Sequence, residues 1–253
     1  MTKIIAVTNQ KGGVGKTTTS VNVAYFLAKA GKKTLLVDFD PQGNATSGLG
    51  VDKQELGATM TEVIMRQIEL KDVVRPTEHK NLFLAPSTPH LANTEVELAQ
   101  AEGRFVRLRQ ALEGTEYDYI IIDSPPSLSL LTVNGLIAAQ YVLLPVQAEF
   151  YALEGLGQLL ETMKLVRKGL NPSLQLLGVL PTMMDSRTTL SGQVHAEIAK
   201  HFPKQLFKTT IPRNIRLAEA PSHGLPVGAY DRFSKGSRAY KALTKEIMER
   251  VEQ

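Results

Sequence analysis

The chain of 253 residues contains no cysteine and no tryptophan. The lack of cysteine excludes disulfide bonds, thiolate zinc sites and iron–sulfur clusters, and it favours a cytoplasmic protein. No apolar stretch approaches the length of a membrane span, and the first residues lead into an apolar, strand-like run rather than a signal peptide. The five histidines lack the spacing of metal ligands, so we expect no structural metal.

Positive charge is unevenly distributed along the chain. The formal net charge is +4, but the segment from Arg187 to Lys241 contains ten basic and three acidic residues. The rest of the chain is therefore slightly acidic. A basic segment can be an ordinary solvated face, whereas basic side chains gathered on one face form the electrostatic footprint of a polyanion site.

Short, nearly continuous apolar runs alternate with segments of helical periodicity. Such runs are typical of parallel strands buried on both faces, and the alternation predicts βαβ units. The predicted strands are Ile4–Thr8, Thr34–Asp38, Asn81–Ala85, Tyr119–Asp123, Tyr141–Val146 and Leu176–Leu180, with a possible seventh near Lys208–Ile211. The predicted helices are Thr17–Ala30, Thr94–Glu113, Ser129–Ala138, Leu153–Gly169, Leu190–His201 and Lys235–Val251.

The expected fold is an α/β, doubly wound, mostly parallel β-sheet flanked by helices, of the P-loop NTPase type. Because no linker is visible, we expect a single nucleotide-binding domain over residues 1–253. Residues 43–80 are less regular, and only one helix is predicted there, near Thr61–Arg66. Ligands of such sheets bind at the carboxyl ends of the strands.

A glycine-rich phosphate loop follows the first predicted strand. Residues 10–18 read Gln-Lys-Gly-Gly-Val-Gly-Lys-Thr-Thr. Backbone N–H groups of such a loop converge on phosphate, Lys16 would reach the β- and γ-phosphates, and the Thr17 hydroxyl would bind Mg²⁺. The predicted nucleotide contacts are Lys11, Gly12, Gly13, Val14, Gly15, Lys16, Thr17 and Thr18. The loop departs from the usual form because Gln10 replaces its first glycine and because Lys11 adds a second lysine.

Carboxylates end two of the predicted strands. The second strand ends in Asp38-Phe39-Asp40, followed by Pro-Gln-Gly-Asn, and the fourth ends in Asp123. Acids beside a phosphate loop hold Mg²⁺ through water or orient the attacking water. Asp-Pro-Gln-Gly is also a good turn sequence, so a structural interpretation of this segment stays open. We expect Asp123 to reach the metal through water, and we consider Asp38 a further metal-site candidate.

These motifs resemble the deviant Walker A ATPases of the ParA/Soj type, which partition chromosomes and plasmids, in the MinD/ParA superfamily. The resemblance spans nearly the whole chain. It is carried by Lys11–Thr18, Asp38–Asn44, Ile121–Pro126, by Tyr-Ala-Leu-Glu-Gly at 151–155, and by the segment Ile211–Val227, which begins Ile-Pro-Arg-Asn-Ile-Arg.

The resemblance implies an ATP hydrolase in which two subunits enclose two ATP molecules with Mg²⁺. The lysine matching Lys11 would cross to the phosphates of the partner subunit, while Lys16 serves its own, and Asp40 would position or activate the hydrolytic water. Pro212 and Asn214 match the segment that lines the adenine. Lys11, Lys16 and Asp40 are therefore the expected catalytic residues.

The resemblance also gives the basic segment a function. Arg187, Arg213 and Arg216 match positions associated with sequence-independent DNA binding, and the neighbouring Lys208, Lys235 and Arg238 would widen the surface. Phosphate contacts provide affinity without reading bases. The expected partners are a second copy of the chain, non-specific double-stranded DNA and a ParB/Spo0J-type centromere-binding protein that stimulates hydrolysis. The expected location is the cytoplasm, on the nucleoid, with no membrane attachment.

Three other functions compete with partitioning. A MinD-like, membrane-associated positioning ATPase needs a basic amphipathic helix, and Leu243, Ile247 and Val251 do lie at helical spacing. That apolar face is narrow, however, and acidic residues follow it, so packing against the sheet is favoured. A redox partner of the nitrogenase iron-protein type is excluded because its cluster requires cysteine. A non-enzymatic protein with a vestigial loop would have lost Lys16, Thr17 or Asp40, and all three are present.

Overall fold

The computed structural model describes residues 2–149, 156–185 and 187–252. Within these residues, seven strands form one sheet in the order β3-β4-β2-β5-β1-β6-β7. Every strand pair is parallel except β3 with β4. The strands are β1 Lys3–Val7, β2 Thr34–Asp38, β3 Arg75–Pro76, β4 Leu82–Ala85, β5 Tyr119–Asp123, β6 Tyr141–Gln147 and β7 Gln175–Thr182.

Helices connect the strands and cover both faces of the sheet. The longer ones are α1 Lys16–Lys29, α5 His90–Leu98, α6 Arg107–Leu112, α7 Leu130–Ala138, α8 Leu156–Gly169, α9 Thr189–His201 and α12 Lys235–Val251. The shorter ones are α2 Asn44–Gly48, α3 Met60–Ile64, α4 Leu70–Val73, α10 Ile215–Glu219 and α11 Val227–Tyr230, with 3₁₀ turns at Lys53–Glu55 and Ala220–His223. The predicted fold class is therefore confirmed.

The strands are apolar throughout because each face of the sheet packs against a layer of helices. All five residues of β2 and of β5 are buried, as a parallel sheet covered on both sides requires. One core cluster joins one face of the sheet to α5–α8, and the other joins the opposite face to α1 and α12. Among the described residues, no helix is both long and apolar enough to cross a membrane.

The predicted strand near Lys208–Ile211 is wrong. The structure has only two isolated bridges here, one between Val179 of β7 and Leu206 and one between Met184, just beyond β7, and Pro212. Proline has no N–H to donate to a ladder, and Pro181 and Pro212 lie on the two sides of this pairing. The seventh strand is instead β3, which pairs antiparallel with β4 at the opposite edge.

The single helix predicted over Thr94–Glu113 is also wrong, because the structure has α5 and α6 with a break between them. Asn134 of α7 occupies the break: its side chain donates to the carbonyl of Arg104 over 2.8 Å and accepts from the N–H of Leu108 over 3.3 Å. A tertiary contact thus satisfies backbone groups that a continuous helix would pair internally.

Two further segments differ from the sequence-based expectation. Residues 43–80 contain α2, α3, α4 and β3 rather than one helix near Thr61–Arg66, and α3 begins and ends earlier than predicted. The predicted start of α8 at Leu153 and the Tyr-Ala-Leu-Glu-Gly motif at 151–155 lie outside the described residues, and α8 is described from Leu156.

Candidate nucleotide-binding site

The phosphate loop lies between β1 and α1, at the carboxyl edge of the sheet. Gly13 and Gly15 have φ of 74° and 87°, a left-handed conformation that glycine adopts without strain. Hydrogen bonds with the neighbouring strands β6 and β7 hold the loop in place. Thr182, at the end of β7, donates its hydroxyl to the carbonyl of Val14 over 2.8 Å, and Asn9 donates to the carbonyl of Pro145 over 2.8 Å.

A cavity of about 270 Å³ lies over this loop. The space that a Cβ would occupy at Gly12, Gly13 or Gly15 has no heavy atom within 4 Å, so the loop backbone faces open space. The first N–H groups of α1 and its dipole favour an anion at this position. The cavity is lined by Gly12, Gly13, Gly15, Lys16, Thr17, Thr18, Asp40, Gln42, Asn44, Pro126 and Met183. This backbone cradle fits a chain of phosphate groups.

Lys16 is buried in the site, with 6% of its surface exposed. Its Nζ donates to the carbonyl of Lys11 over 2.9 Å. Burial lowers the pKa of Lys16, and the negative charges of Asp123 and Asp40 act in the opposite direction. The Lys16 ammonium group is thus held over the loop by one hydrogen bond to a backbone carbonyl. A phosphate oxygen bound in the loop would be a stronger acceptor for this group.

Lys11 occupies the rim of the site, and its side chain is 39% exposed. Its Nζ forms an ion pair with Oε2 of Glu149 over 2.7 Å. Gln147, at the end of β6, also donates to Glu149. The two lysines of the loop therefore differ in position: one is enclosed in its own loop, and the other lies at the surface beside a carboxylate.

Asp38 and Asp123 end adjacent strands and face each other in register. Both are fully buried. Burial is the main cause that raises the pKa of Asp38 to about 6 and that of Asp123 to about 8. For Asp123 the next cause is the charge of Asp38, and a hydrogen bond from Ser20 opposes the shift. Two buried carboxylates side by side disfavour ionisation of both.

The two carboxylates are satisfied to different degrees. Asp38 Oδ2 accepts from the N–H and the hydroxyl of Thr46, both over 2.7 Å, and its Oδ1 accepts from the N–H of Asp40 over 3.3 Å. Asp123 Oδ1 accepts from the Ser20 hydroxyl over 2.8 Å, whereas its buried Oδ2 has no hydrogen-bond partner among the described residues.

This difference bears on the predicted metal ligands. A buried carboxylate oxygen without a hydrogen-bond partner reduces the stability of the fold. Asp123 also lies near the Thr17 hydroxyl. Carboxylate and hydroxyl oxygens are the kind of ligand that Mg²⁺ prefers. Asp123 and Thr17 thus fit a magnesium site. Asp38, the third candidate, uses its oxygens to hold Thr46 at the start of α2, so its assignment as a ligand stays a prediction without structural support.

Asp40 lines the cavity together with Lys16 and Thr17, and 5% of its surface is exposed. Its Oδ1 accepts from the N–H of Gln42 over 2.9 Å. The turn that the sequence Asp-Pro-Gln-Gly forms is therefore present, and it directs a carboxylate towards the phosphate loop. The structural and the catalytic interpretations of this segment are compatible.

Pro212 and Asn214 lie at the edge of the site rather than in the cavity. Pro212 pairs with Met184, next to Met183 in the cavity wall. The buried Oδ1 of Asn214 has no hydrogen-bond partner in the described part of the chain, so it can accept from a ligand. A second cavity, of about 410 Å³, shares Thr17, Thr18 and Asn44 with the first and extends along α1 towards residues 217–225. These positions are consistent with the predicted adenine segment.

The predicted DNA-binding residues do not form one cluster. Arg187 and Arg213 both lower the pKa of Asp185, so they share one neighbourhood at the end of β7. Arg216 pairs with Asp231 over 3.5 Å, which places it near the start of α12, where Lys235 and Arg238 are exposed.

Lys208 is separate from these arginines. Its backbone N–H donates to Glu246 over 2.9 Å, and Glu246 lies eleven residues after Lys235 in α12, about 16 Å along the helix.

Three contacts of the site were not predicted from the sequence. Glu149 pairs with Lys11, Ser20 donates to Asp123, and Thr46 joins Asp38 to the N–H of Ser87. The spacing of Ser20, one helical turn beyond Lys16, could have placed it under the loop. Glu149 carried no comparable signal, because the contact joins residues 138 positions apart.

Comparisons with known proteins identify the family of the chain. The AAA domain family matches residues 2–176. The chain is 53% identical to the sporulation initiation inhibitor protein Soj of Bacillus subtilis, with 98% of each chain covered. It is 51% identical to the chromosome partitioning protein ParA of Myxococcus xanthus, covering 98% of this chain and 88% of that protein.

A solved structure extends the similarity to three dimensions. It is described as cobyrinic acid a,c-diamide synthase from Mycobacterium smegmatis with bound ADP and magnesium, and it is 38% identical to this chain. The TM-score is 0.88, with 100% of this chain and 96% of that chain covered. The phosphate loop has two lysines, the fold matches, and the two named relatives are 53% and 51% identical over nearly the full length of this chain. The chain therefore belongs to the ParA/Soj family of chromosome-partitioning ATPases.

Proposed function

We propose that the chain is a DNA-partitioning ATPase whose Mg-ATP-bound dimer binds DNA without sequence preference and leaves it on hydrolysis. The observation that carries this proposal is the placement of the two loop lysines. Lys16 is enclosed in its own loop, whereas Lys11 is half-exposed at the rim, 2.7 Å from Glu149. A cation at the rim has the position that a contact with a second subunit requires.

Each residue of the site has one task in this proposal. Lys16 and the N–H groups of the loop hold the phosphates of ATP, and Asp40 orients the attacking water. Thr17 and, through water, Asp123 would hold Mg²⁺, which would neutralise negative charge on the phosphate groups. Pro212 and Asn214 bound the space for the adenine. Phosphoryl transfer depends mainly on such positioning and electrostatic stabilisation.

Lys11 supplies the charge that makes the reaction depend on dimerisation. An arginine delivered to the γ-phosphate by a partner protein typically accelerates hydrolysis by about 10³–10⁵-fold, and Lys11 would act by the same electrostatic principle. In a lone subunit, Lys11 is paired with Glu149 of its own chain. The γ-phosphate of the partner's ATP offers Lys11 a more highly charged anion, so dimer formation becomes conditional on the bound nucleotide.

The exposed arginines beyond β7 provide the DNA-binding surface. Arg187 is bound to Asp185, and Arg216 is bound to Glu219 over 2.8 Å, so both share their charge with a carboxylate. Arg213 forms no ion pair with the described residues and is exposed. We therefore assign Arg213 the largest contribution, and we assign a smaller one to Lys235 and Arg238, which lie near Arg216. A dimer doubles this surface, which strengthens a weak contact by multivalency.

Two other functions fit the site less well. A MinD-like membrane ATPase would need the apolar stripe of α12, but Leu243, Ile247 and Val251 are buried in the core. The solved relative is named as a biosynthetic enzyme, cobyrinic acid a,c-diamide synthase. Such an activity would not explain the exposed Arg187, Arg213 and Arg216 beyond β7. A ParB/Spo0J-type protein is the proposed activator of hydrolysis, and the nucleoid is the proposed location.

The experiment is co-sedimentation with DNA and, separately, with anionic liposomes, in ADP, in ATP and in a non-hydrolysable ATP analogue. Because phosphate contacts dominate, we expect pelleting with DNA in ATP or the analogue, decreasing steeply as salt is raised. Pelleting with liposomes instead of DNA would establish the MinD-like alternative. Pelleting with neither, or equal DNA binding in ADP and ATP, would contradict the proposal.

A pair of charge reversals locates the DNA surface. Arg213→Glu is expected to weaken DNA binding at least about tenfold and to reduce the salt dependence, because removing one phosphate contact lowers the slope by about 0.9. Lys208→Glu makes the same charge change near Glu246, away from Arg213 and Arg216, and should leave binding close to that of the parent. Equal weakening in both variants would mean that net charge, rather than this surface, governs binding.

A further inference from the structure

A second candidate site lies far from the phosphate loop. It is a cavity of about 1010 Å³ bounded by α3, α4 and α6. Lys33 and Tyr117, which precede β2 and β5, form part of its wall. The cavity is therefore at the amino ends of these strands, whereas the nucleotide site is at their carboxyl ends.

Two arginines line this cavity close enough for the charge of one to affect the other. Arg66, which follows α3 and has a left-handed φ of 60°, donates through Nη2 to the side-chain oxygen of Gln110. Arg107 donates through Nη2 to the carbonyl of Glu102 over 2.7 Å, and its buried Nε has no hydrogen-bond partner among the described residues. Neither arginine forms an ion pair with a carboxylate of the described ranges 2–149, 156–185 and 187–252.

This arrangement is unfavourable for the protein alone. Burial, and after it the positive charge of Arg66, lowers the pKa of Arg107. A guanidinium has five donors in a planar fork, and here one buried donor of Arg107 is unused. An anion between the two arginines would satisfy that donor and remove the repulsion.

We propose that Arg66 and Arg107 bind the phosphoryl group of a small phosphate-bearing molecule in this cavity. Two adjacent guanidinium forks match the oxygens of a tetrahedral phosphate. The volume is at the upper end of small-molecule sites, about 300–1,000 Å³. The site is separate from the phosphate loop, and the proposal does not depend on the proposed function.

The rest of the cavity restricts the ligand class. Glu69, Asp72, Glu113 and Glu116 also line it. These carboxylates repel a polyanion such as DNA, but they accept hydrogen bonds from hydroxyl groups. The ring of Tyr117, with Lys33 Nζ 5.0 Å from its centroid, adds an apolar surface. A phosphorylated sugar, which carries one phosphoryl group and several hydroxyls, combines these features.

The test uses the full chain saturated with Mg²⁺ and a non-hydrolysable ATP analogue, so that the phosphate loop is already occupied. Inorganic phosphate and, in a second arm, ribose 5-phosphate are titrated while the arginine side-chain Nε–Hε NMR signals are recorded. We expect saturable shifts of the Arg66 and Arg107 signals. Tighter binding of ribose 5-phosphate than of inorganic phosphate would support the sugar phosphate class, and equal or weaker binding would contradict that part of the proposal.

Variants make the assignment specific. Arg107→Gln and, at an exposed position less critical for folding, Arg66→Gln should each weaken phosphate binding about tenfold, the size of one charged hydrogen bond. Arg104→Gln removes the same charge from a side chain that stacks on Phe105 and lies outside the cavity, and it should bind like the parent. The absence of saturable shifts, or equal weakening by Arg104→Gln, would overturn the proposal.

Discussion

The substitution Asp123→Asn tests how the buried carboxylates govern stability and metal binding. Asp123 is fully buried, its Oδ1 accepts from Ser20, and its Oδ2 has no partner among the described residues. Asparagine keeps the shape and the acceptor for Ser20 but removes the charge. The substitution should therefore stabilise the nucleotide-free protein, because no buried negative charge remains at this position. It should also weaken Mg²⁺ binding, because it removes the proposed carboxylate contact to the metal.

The magnitude follows from the pKa. Burial raises the pKa of Asp123 from 3.8 to about 8. Because the folded chain binds this proton more tightly than the unfolded chain, the stabilisation is fully present below pH 4 and is lost as the pH rises towards 8. Each pH unit corresponds to about 1.4 kcal/mol. Acting alone, Asp123 would reduce the free energy of unfolding by about 4 kcal/mol between pH 5 and pH 8, and its coupling to Asp38 makes this an upper limit.

Urea unfolding at pH 5, 6.5 and 8, without nucleotide and then with Mg²⁺ and an ATP analogue, measures this difference. The parent should lose stability towards pH 8, whereas Asp123→Asn should lose less and gain less from Mg-nucleotide. Asp52→Asn, which removes the charge of an exposed helix-capping carboxylate and retains a capping side chain, is the matched control and should follow the parent. An Asp123→Asn variant with the pH dependence of the parent would refute the reasoning.

Three further outcomes are expected. Glu149→Gln removes the partly exposed ion pair of Lys11, which is worth up to about 1 kcal/mol. Half-maximal dimerisation, measured by light scattering, should therefore need up to about fivefold less ATP. Glu69→Gln, which removes another surface ion pair, should leave that ATP concentration unchanged. Asp40→Ala should retain ATP binding in calorimetry while phosphate release falls about 10²–10⁴-fold, and turnover near the parent rate would exclude its catalytic role. Gly178→Ala places a Cβ 2.5 Å from a backbone oxygen, so it should lower the free energy of unfolding by about 1–3 kcal/mol, measured with urea. Gly192→Ala, in open space on α9, should raise it by about 1 kcal/mol. A more stable Gly178→Ala protein than Gly192→Ala protein would contradict this packing.

Much of the fold was predictable because its signals are local. The apolar runs that became β1, β2, β4 and β5 are continuous, which is the pattern of strands buried on both faces. The glycines and lysines of the phosphate loop are consecutive, so their geometry follows from spacing alone. The sequence also predicted that Asp38 and Asp123 end their strands at the carboxyl edge, but their pairing in register was seen only in the structure.

The rest depended on contacts between distant residues. The break between α5 and α6 is held by Asn134, and the failure of a strand at Lys208–Ile211 depends on prolines in two segments. Similarly, the pairing of Lys11 with Glu149 and the use of Asp38 to hold Thr46 arise only when the strands assemble. Local sequence patterns carry no information about such partners.

The most direct test of the central claim measures the mass of the chain by sedimentation in Mg-ATP. In the slowly hydrolysing Asp40→Ala background, the chain of 27.7 kDa should sediment at about twice that mass, and adding Lys11→Ala should return it to single copies that still bind ATP. Dimers that persist without Lys11, or single copies in the Asp40→Ala protein at saturating Mg-ATP, would contradict the assignment of Lys11 to the partner's phosphates.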